Sequence, residues 1–382
     1  WVSSAAMLKP PRRLERARAM RHLSVPRNQT QFWLERCKAN GWLADTGVVA
    51  LDELVRAIPL NDTAPTSEDE RWEGHLHVDV APNEQIPQHW HQHLPSELQS
   101  LPDSLWPRAY ELQGDVLLVK LEDEVLPYAH AVATAMLDHM PNVRLVCADE
   151  GVTGDFRVRD LRLLASRDGS TETETTVREH DAVVRVDPAS VYFSARLSQQ
   201  RWGTYEAVQA LRERLGHPVV VADPYAGVGP AFPLLLKHEG LVSGYLAGDM
   251  NPRAVELLTV NLNGWTRKST AAFSPSNVVC KDARTWKDEE LLRGKAHVVL
   301  VNLPHDSFDH LPVLFPLFDR KGLTLLRGWA IVERESLPGR KAQLKEAIEA
   351  AGGLPTETRV SEIKGFSTSR CFVVFESLIA WV

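Results

Sequence analysis

Residues 218–222 read Pro-Val-Val-Val-Ala, a continuous apolar run typical of a central parallel strand buried on both faces. The next segment constrains the chain most: Asp223-Pro-Tyr-Ala-Gly-Val-Gly-Pro-Ala-Phe232, a glycine turn leading into a helix predicted over 232–238. Strands predicted over 241–247, 277–280, 297–301 and 323–332, with a helix over 252–262, continue the alternation. Two last strands, over 358–363 and 371–379, are close enough to pair as an antiparallel hairpin. Five β–α alternations ending this way predict an α/β, doubly wound sheet with one reversed strand.

Upstream the pattern is different. Residues 72–186 read as a compact α+β region. Strands are expected over 115–121 and 143–147, a helix within 127–140 closed by Pro141, and a hairpin over 175–179 and 182–186. Residues 156–165 alternate apolar and basic positions, which puts Arg157, Arg159 and Arg162 on or near the polar face of a half-buried strand. The N-terminal part reads as a small helical unit. Phe32, Trp33, Leu34 and Cys37 have helical spacing and Gly41 is the stop; Val49 to Ile58 is a second short helix ended by Pro59. The acidic stretch 61–71 reads as a linker. The expected division is 1–70, 71–187 and 188–382.

Charge and cysteine usage narrow the function classes. The net charge of −7, from 43 Lys+Arg against 50 Asp+Glu, excludes a uniformly basic nucleic-acid coat. A local basic surface remains open, because the basic residues from Lys9 to Arg27 are opposed only by Glu15. That segment reads either as a solvated tail or as an arm that meets a phosphate backbone. Cys37, Cys147, Cys280 and Cys371 form no CxxC pair, which points away from a disulfide scaffold or cysteine zinc site and toward a reducing cytoplasm. His89-Trp-His-Gln-His93 has no nearby cysteine or acidic partner, so no metal is expected. No apolar run reaches the roughly 20 residues that span a bilayer. Residues 1–20 are basic without an apolar core, so no signal peptide is expected; the chain opens with Trp, and its true start is expected upstream. Trp33, Trp42, Trp72, Trp90 and Trp106 are expected mostly in cores rather than as a base-stacking platform.

Chemistry concentrates at the carboxyl ends of the predicted parallel strands, where open α/β sheets bind ligands. Gly227 and Gly229 let the backbone turn tightly and approach a ligand. Phe232 stands where the dinucleotide fingerprint has its third glycine, which disfavours a pyrophosphate and hence an NAD-dependent oxidoreductase. A nucleoside without phosphate, such as S-adenosylmethionine, suits the loop better. Asp249 can accept both ribose hydroxyls, because Asn251 fills the helix N-cap ahead of Pro252. Asp282 can meet an adenine amino group, with Ala283 flanking the ring. Asn302-Leu303-Pro304-His305 ends the fourth strand with a carboxamide directed into the cleft, although Asn and Pro also serve simply as turn residues.

Residues 223–263 and 302–305 resemble the archaeal and eukaryotic tRNA (guanine-37-N1)-methyltransferases. Tyr110-Glu-Leu-Gln-Gly-Asp-Val116, Gly154-Asp-Phe-Arg-Val-Arg-Asp-Leu161 and Val191-Tyr-Phe-Ser-Ala-Arg-Leu197 resemble further signatures of that family, so the likeness covers about 105–310. The sister family, the aminocarboxypropyl transferases of wybutosine synthesis, shares the fold. Residues 192–197 and the Asn-Leu-Pro at 302–304 are more similar to the methyltransferases. The resemblance implies a class I methyltransferase Rossmann-like sheet with an antiparallel C-terminal hairpin, preceded by a smaller α+β domain and the N-terminal helical unit. It implies S-adenosylmethionine as cofactor, held by Arg201, Tyr225, Gly227, Gly229, Asp249, Met250, Asp282, Ala283 and Asn302, with Arg201 near the methionine carboxylate. It also implies a tRNA anticodon stem-loop as partner, and Arg157, Arg159, Gln200, Asn302 and Pro304 around the reacting base; the sequence leaves the oligomeric state open, with a monomer favoured. An arginine at O6 would stabilise the anion formed as N1 loses its proton.

One position departs from the family. The usual Glu-Arg pair is Gln200-Arg201 here, and a glutamine cannot take the N1 proton; a general base is typically worth roughly 10²–10⁴-fold in rate. His305, Asp306 and Asp309 are the nearest alternatives, and each also reads as a solvated loop residue. A tRNA-binding protein that has lost catalysis is therefore a further reading.

Overall fold

The computed structural model describes residues 20–80, 87–154, 156–267 and 269–381. The basic residues from Lys9 to Arg18 lie outside them, as does Asp155. Two compact units are formed, Trp1–Gln88 and His89–Val382.

The described part of the first unit is a four-stranded antiparallel sheet with one main helix, not a helical unit. Strand Met20–Pro26 pairs with Val55–Pro59 on one side and His77–Val80 on the other, and helix Thr30–Ala39 packs Trp33 and Cys37 into the core. Val49–Ile58 is not a helix: Val49–Ala50 turns back onto Val55–Pro59. The cause is local. Asp52 Oδ1 accepts the Leu54 and Val55 N–H groups at 2.7 and 2.8 Å, closing a turn that competes with helix formation. The polar stretch 61–71 belongs to this unit too, since the Arg21 guanidinium donates to the carbonyls of Ala64 and Pro65 at 2.7 and 2.9 Å. Trp33, Trp42 and Trp72 are buried together, and Trp90 and Trp106 are buried in the second unit.

The second unit contains two sheets that matter for the site. In the first, strands Tyr110–Gln113, Val116–Val119, Leu145–Thr153 and Val158–Ser166 lie side by side in that order, backed by helix Ala129–His139. A separate pair, Thr175–Glu179 and Ala182–Val186, is antiparallel.

The second sheet has seven strands: β1 Val219–Asp223, β2 Val242–Asp249, β3 Ser276–Cys280, β4 Val298–Val301, β5 Leu323–Glu333, β6 Gly353–Gly365 and β7 Arg370–Trp381. Their spatial order is β3-β2-β1-β4-β5-β7-β6; the first five run parallel, and β7 is antiparallel to both β5 and β6. Helices α1 Ser198–Leu215, α2 Phe232–Lys237 and α3 Pro252–Thr266 supply one apolar layer, through Val208, Leu235 and Leu258. Helices α4 Ser307–Leu314 and α5 Leu337–Ala350 supply the other, through Leu311 and Leu344. With both faces covered, β1 and β4 are apolar at nearly every position, and each fully buried Val or Leu contributes about 1.5–3 kcal/mol. Phe232 joins this core edge-on to Tyr245, which is why the third-glycine position is aromatic. No helix among the described residues is long and apolar enough to cross a membrane.

Candidate active site

The carboxyl ends of β1 to β4 open onto one cavity of about 860 Å³. Its floor is the turn after β1. Gly229 has φ +84°, and a Cβ there would come within 2.6 Å of Leu258 Cδ1, so the turn can lie flat on α3 only with glycine. Gly227, at φ +54°, faces the cavity and donates its N–H to Asp249 Oδ2 at 2.9 Å. Asp249 Oδ1 accepts the Asn251 N–H at 2.9 Å, while Asn251 Oδ1 caps α3 through the Arg253 N–H at 3.0 Å. Burial pushes the Asp249 carboxyl above the ordinary range, and the N–H groups of Asn251, Gly227 and Met250 pull the other way.

Asp223, at the end of β1, lies beneath this floor. Desolvation pushes its carboxyl up to about 7 against the Tyr225 N–H it accepts, and the charge of Asp249 adds to the rise. Because this lies above the unfolded value, the stability that protonated Asp223 contributes is complete below about pH 4 and is lost as pH rises through 7. Asp223→Asn is therefore expected to flatten the loss of stability between pH 4 and 8. At pH 8 the variant should be more stable than the parent chain by as much as about 4 kcal/mol. Denaturant melts at pH 5 and pH 8 test this, and a variant less stable at pH 8 would refute it.

One side of the cavity is built from the ends of β2 and β3. Met250, Asp282 and Ala283 line it, with Asp282 held below the usual carboxylate range by Arg284, whose Nη2 lies 2.5 Å from Oδ2. The Tyr225 hydroxyl bonds His310 Nδ1 at 2.7 Å, joining the β1 turn to α4. The opposite side is the break after β4. The Ile331 N–H donates to the Pro304 carbonyl at 2.6 Å, which fixes the turn. The Asn302 carboxamide lines the cavity and has no hydrogen-bond partner among the described residues.

The arginines separate into two kinds. Arg159 is held by Asp149 at 2.6 Å and Glu111 at 2.9 Å, and Arg201 by Glu179 at 2.5 Å, so their charges are already met inside the protein. Arg157 has no side-chain partner among the described residues and sits at φ +53°, a left-handed conformation costing a bulky residue about 1–2 kcal/mol. Gln200 lies outside the cavity lining: on α1 its Oε1 accepts the Trp329 indole N–H at 3.3 Å.

The cavity therefore brings together Arg157, Arg159, Arg201, Tyr225, Gly227, Asp249, Met250, Asp282, Ala283, Asn302 and Pro304; Gly229 supports it from below, and Gln200 stands apart. Reading the sequence missed the rim. Phe156, Tyr192 and Phe366 are exposed aromatic residues on three separate segments, accompanied by Arg196 and Lys364. Phe156, Tyr192 and Arg196 sat within recognisable signatures; Phe366, at the tip joining β6 to β7, has no local motif to mark it.

A family model described as the TYW2 N-terminal domain matches residues 85–170. A tRNA (guanine(37)-N(1))-methyltransferase 1 from Vitis vinifera is 29% identical over 287 residues, covering 73% of this chain and 43% of the relative. The chain is similar to the tRNA (guanine-37-N1)-methyltransferases. It spans 43–59% of the length of three such curated relatives. Their fold is shared. The crystal structure of Trm5b from Pyrococcus abyssi superimposes with a TM-score of 0.64 at 20% identity, covering 95% of this chain and all of that one. A complex of aTrm5 with tRNALeu gives 0.66 at 19% identity, covering 94% and 99%.

Proposed function

We propose that this chain is a cytoplasmic, S-adenosylmethionine-dependent tRNA methyltransferase acting on N1 of guanosine 37 in the anticodon loop. One observation carries the reading: the Asn302 carboxamide, unpartnered among the described residues, opens onto the same cavity as the Asp249 carboxylate, with exposed aromatic and basic side chains at its rim. The names of the curated relatives and the tRNA-bound neighbour support the substrate.

The donor set suits S-adenosylmethionine. Asp249 presents an acceptor-only carboxylate for a ribose diol, Ala283 leaves room for a flat ring beside Met250, and the glycine turn brings backbone close. Bound there, the donor supplies a sulfonium-activated methyl group. The chain's own residues do the rest. Phe156, Tyr192 and Phe366 offer faces on which an extruded base stacks, Asn302 orients its amide-like edge, and Arg157 meets charge developing at O6.

Incubation with unmodified tRNA and methyl-labelled donor is expected to place label on N1 of the target guanine. Asn302→Ala should lower kcat by about 10–100-fold, the worth of a hydrogen bond to a charged transition state. Unlabelled RNA would refute the proposal. The TYW2 N-terminal match favours a second reading, transfer of the aminocarboxypropyl group; it requires label from the methionine carbon chain instead.

A further inference from the structure

We infer that His305 is the general base that takes the N1 proton in this chain; the inference rests on the proposed methyl transfer. The carboxyl and imidazole groups lining the cavity are mostly committed. Glu111 holds Arg159, Asp282 holds Arg284, Asp249 accepts two backbone N–H groups, and His310 bonds Tyr225. Gln200, where the family has its carboxylate, is occupied with Trp329 outside the lining. That leaves His305, Asp306 and Asp309, none of which has a side-chain hydrogen bond among the described residues.

Position and basicity separate these three. His305 directly follows Pro304, stands edge-on to Phe366 at 6.1 Å, and is close enough to Arg157 to feel its charge. On guanine, N1–H lies next to O6 on the Watson–Crick edge, so a group beside the arginine that meets O6 is within reach of N1 when it stands on that edge. Imidazoles titrate near 6.5 and carboxylates near 4, so an imidazole accepts a proton from a weak acid more readily at neutral pH. The charged groups acting on His305 are Arg157, Arg370 and Asp306; partial desolvation of a side chain that stays exposed, with the two arginines, holds it below the ordinary imidazole value against Asp306, which favours the neutral ring that accepts a proton. In the step, the N1 proton passes to a ring nitrogen of His305. The N1 electron pair forms the bond to the methyl carbon as the carbon–sulfur bond breaks with its electrons to sulfur. The imidazolium then returns the proton to water.

Two measurements test this. In single-turnover methyl transfer, His305→Ala and His305→Gln should each lower the rate about 100-fold, with tRNA affinity within a few-fold of the parent. The rising limb of the pH–rate profile should disappear, and added imidazole should restore activity to His305→Ala alone. Separately, diethyl pyrocarbonate modification of His305, read by mass spectrometry, should be suppressed by a saturating anticodon stem-loop. The inference is overturned if the His305 variants stay within about threefold of the parent, if the stem-loop leaves His305 equally reactive, or if Asp306→Asn or Asp309→Asn removes the limb instead. A tenfold gain from Gln200→Glu would also overturn it, by assigning proton removal to position 200. A parent chain that transfers no methyl group refutes the functional reading itself, whereas an active parent with active His305 variants refutes only the base.

Discussion

Asp249→Asn is expected to weaken S-adenosylmethionine binding by at least about 100-fold. Two charge-assisted hydrogen bonds to a ribose diol, each worth about 1.5–3 kcal/mol, account for that much. The substitution also turns an acceptor-only group into one that presents N–H. Asp249 already receives the N–H of Gly227 through one oxygen and of Asn251 through the other, so the new amide must face one of them donor to donor. The turn after β1 should consequently lose its tie to β2, and the floor of the pocket its shape. Isothermal titration with the donor and with its thioether product measures the loss. Affinity within fivefold of the parent, for a variant whose melting temperature is also unchanged, would mean that the sugar is held elsewhere.

The floor was legible because its constraints are local. A buried strand flanked by Pro218 and a glycine turn can be read from adjacent residues, and so can an acid two positions before the Asn251-Pro252 helix start. The hairpin Thr175–Glu179 and Ala182–Val186 likewise announces itself by alternation. The illegible features depend on partners far along the chain. Val49 to Ile58 has apolar residues at helical intervals, yet strand Met20–Pro26 and the Asp52 turn make it a sheet. Arg159 and Arg157 look equivalent on one strand, two residues apart. Only the fold brings Glu111 and Asp149 to the first and leaves the second without a side-chain partner among the described residues. Gln200 is the same kind of case, since no local signal shows that Trp329 would claim its carbonyl.

Glu179→Gln should destabilise the chain by about 3–5 kcal/mol, because it strands a buried charge. Glu179 closes the strand Thr175–Glu179, and Arg201 lies on the first turns of α1; the side chains are 8% and 7% exposed. One edge of the guanidinium is engaged bidentately, Nε donating to Oε1 at 2.5 Å and Nη2 to Oε2 at 2.6 Å, and Nη2 also donates to the Ser194 carbonyl at 2.9 Å. The Phe193 ring packs 5.4 Å from the same group, so little water can replace a lost partner. The pair therefore couples the hairpin to the segment carrying Tyr192 and Arg196, and the rim loses its support when it breaks. Replacing both partners together, as Glu179→Leu with Arg201→Met, should recover most of the stability, because two apolar groups of similar size leave no charge to solvate. Urea denaturation of the parent, the two single variants and the double variant completes the cycle. Recovery of stability without recovery of donor affinity would assign Arg201 a second role toward the methionine carboxylate. Full recovery of both would make the pair purely a brace, and a Glu179→Gln loss below about 1 kcal/mol would show that water reaches Arg201 after all.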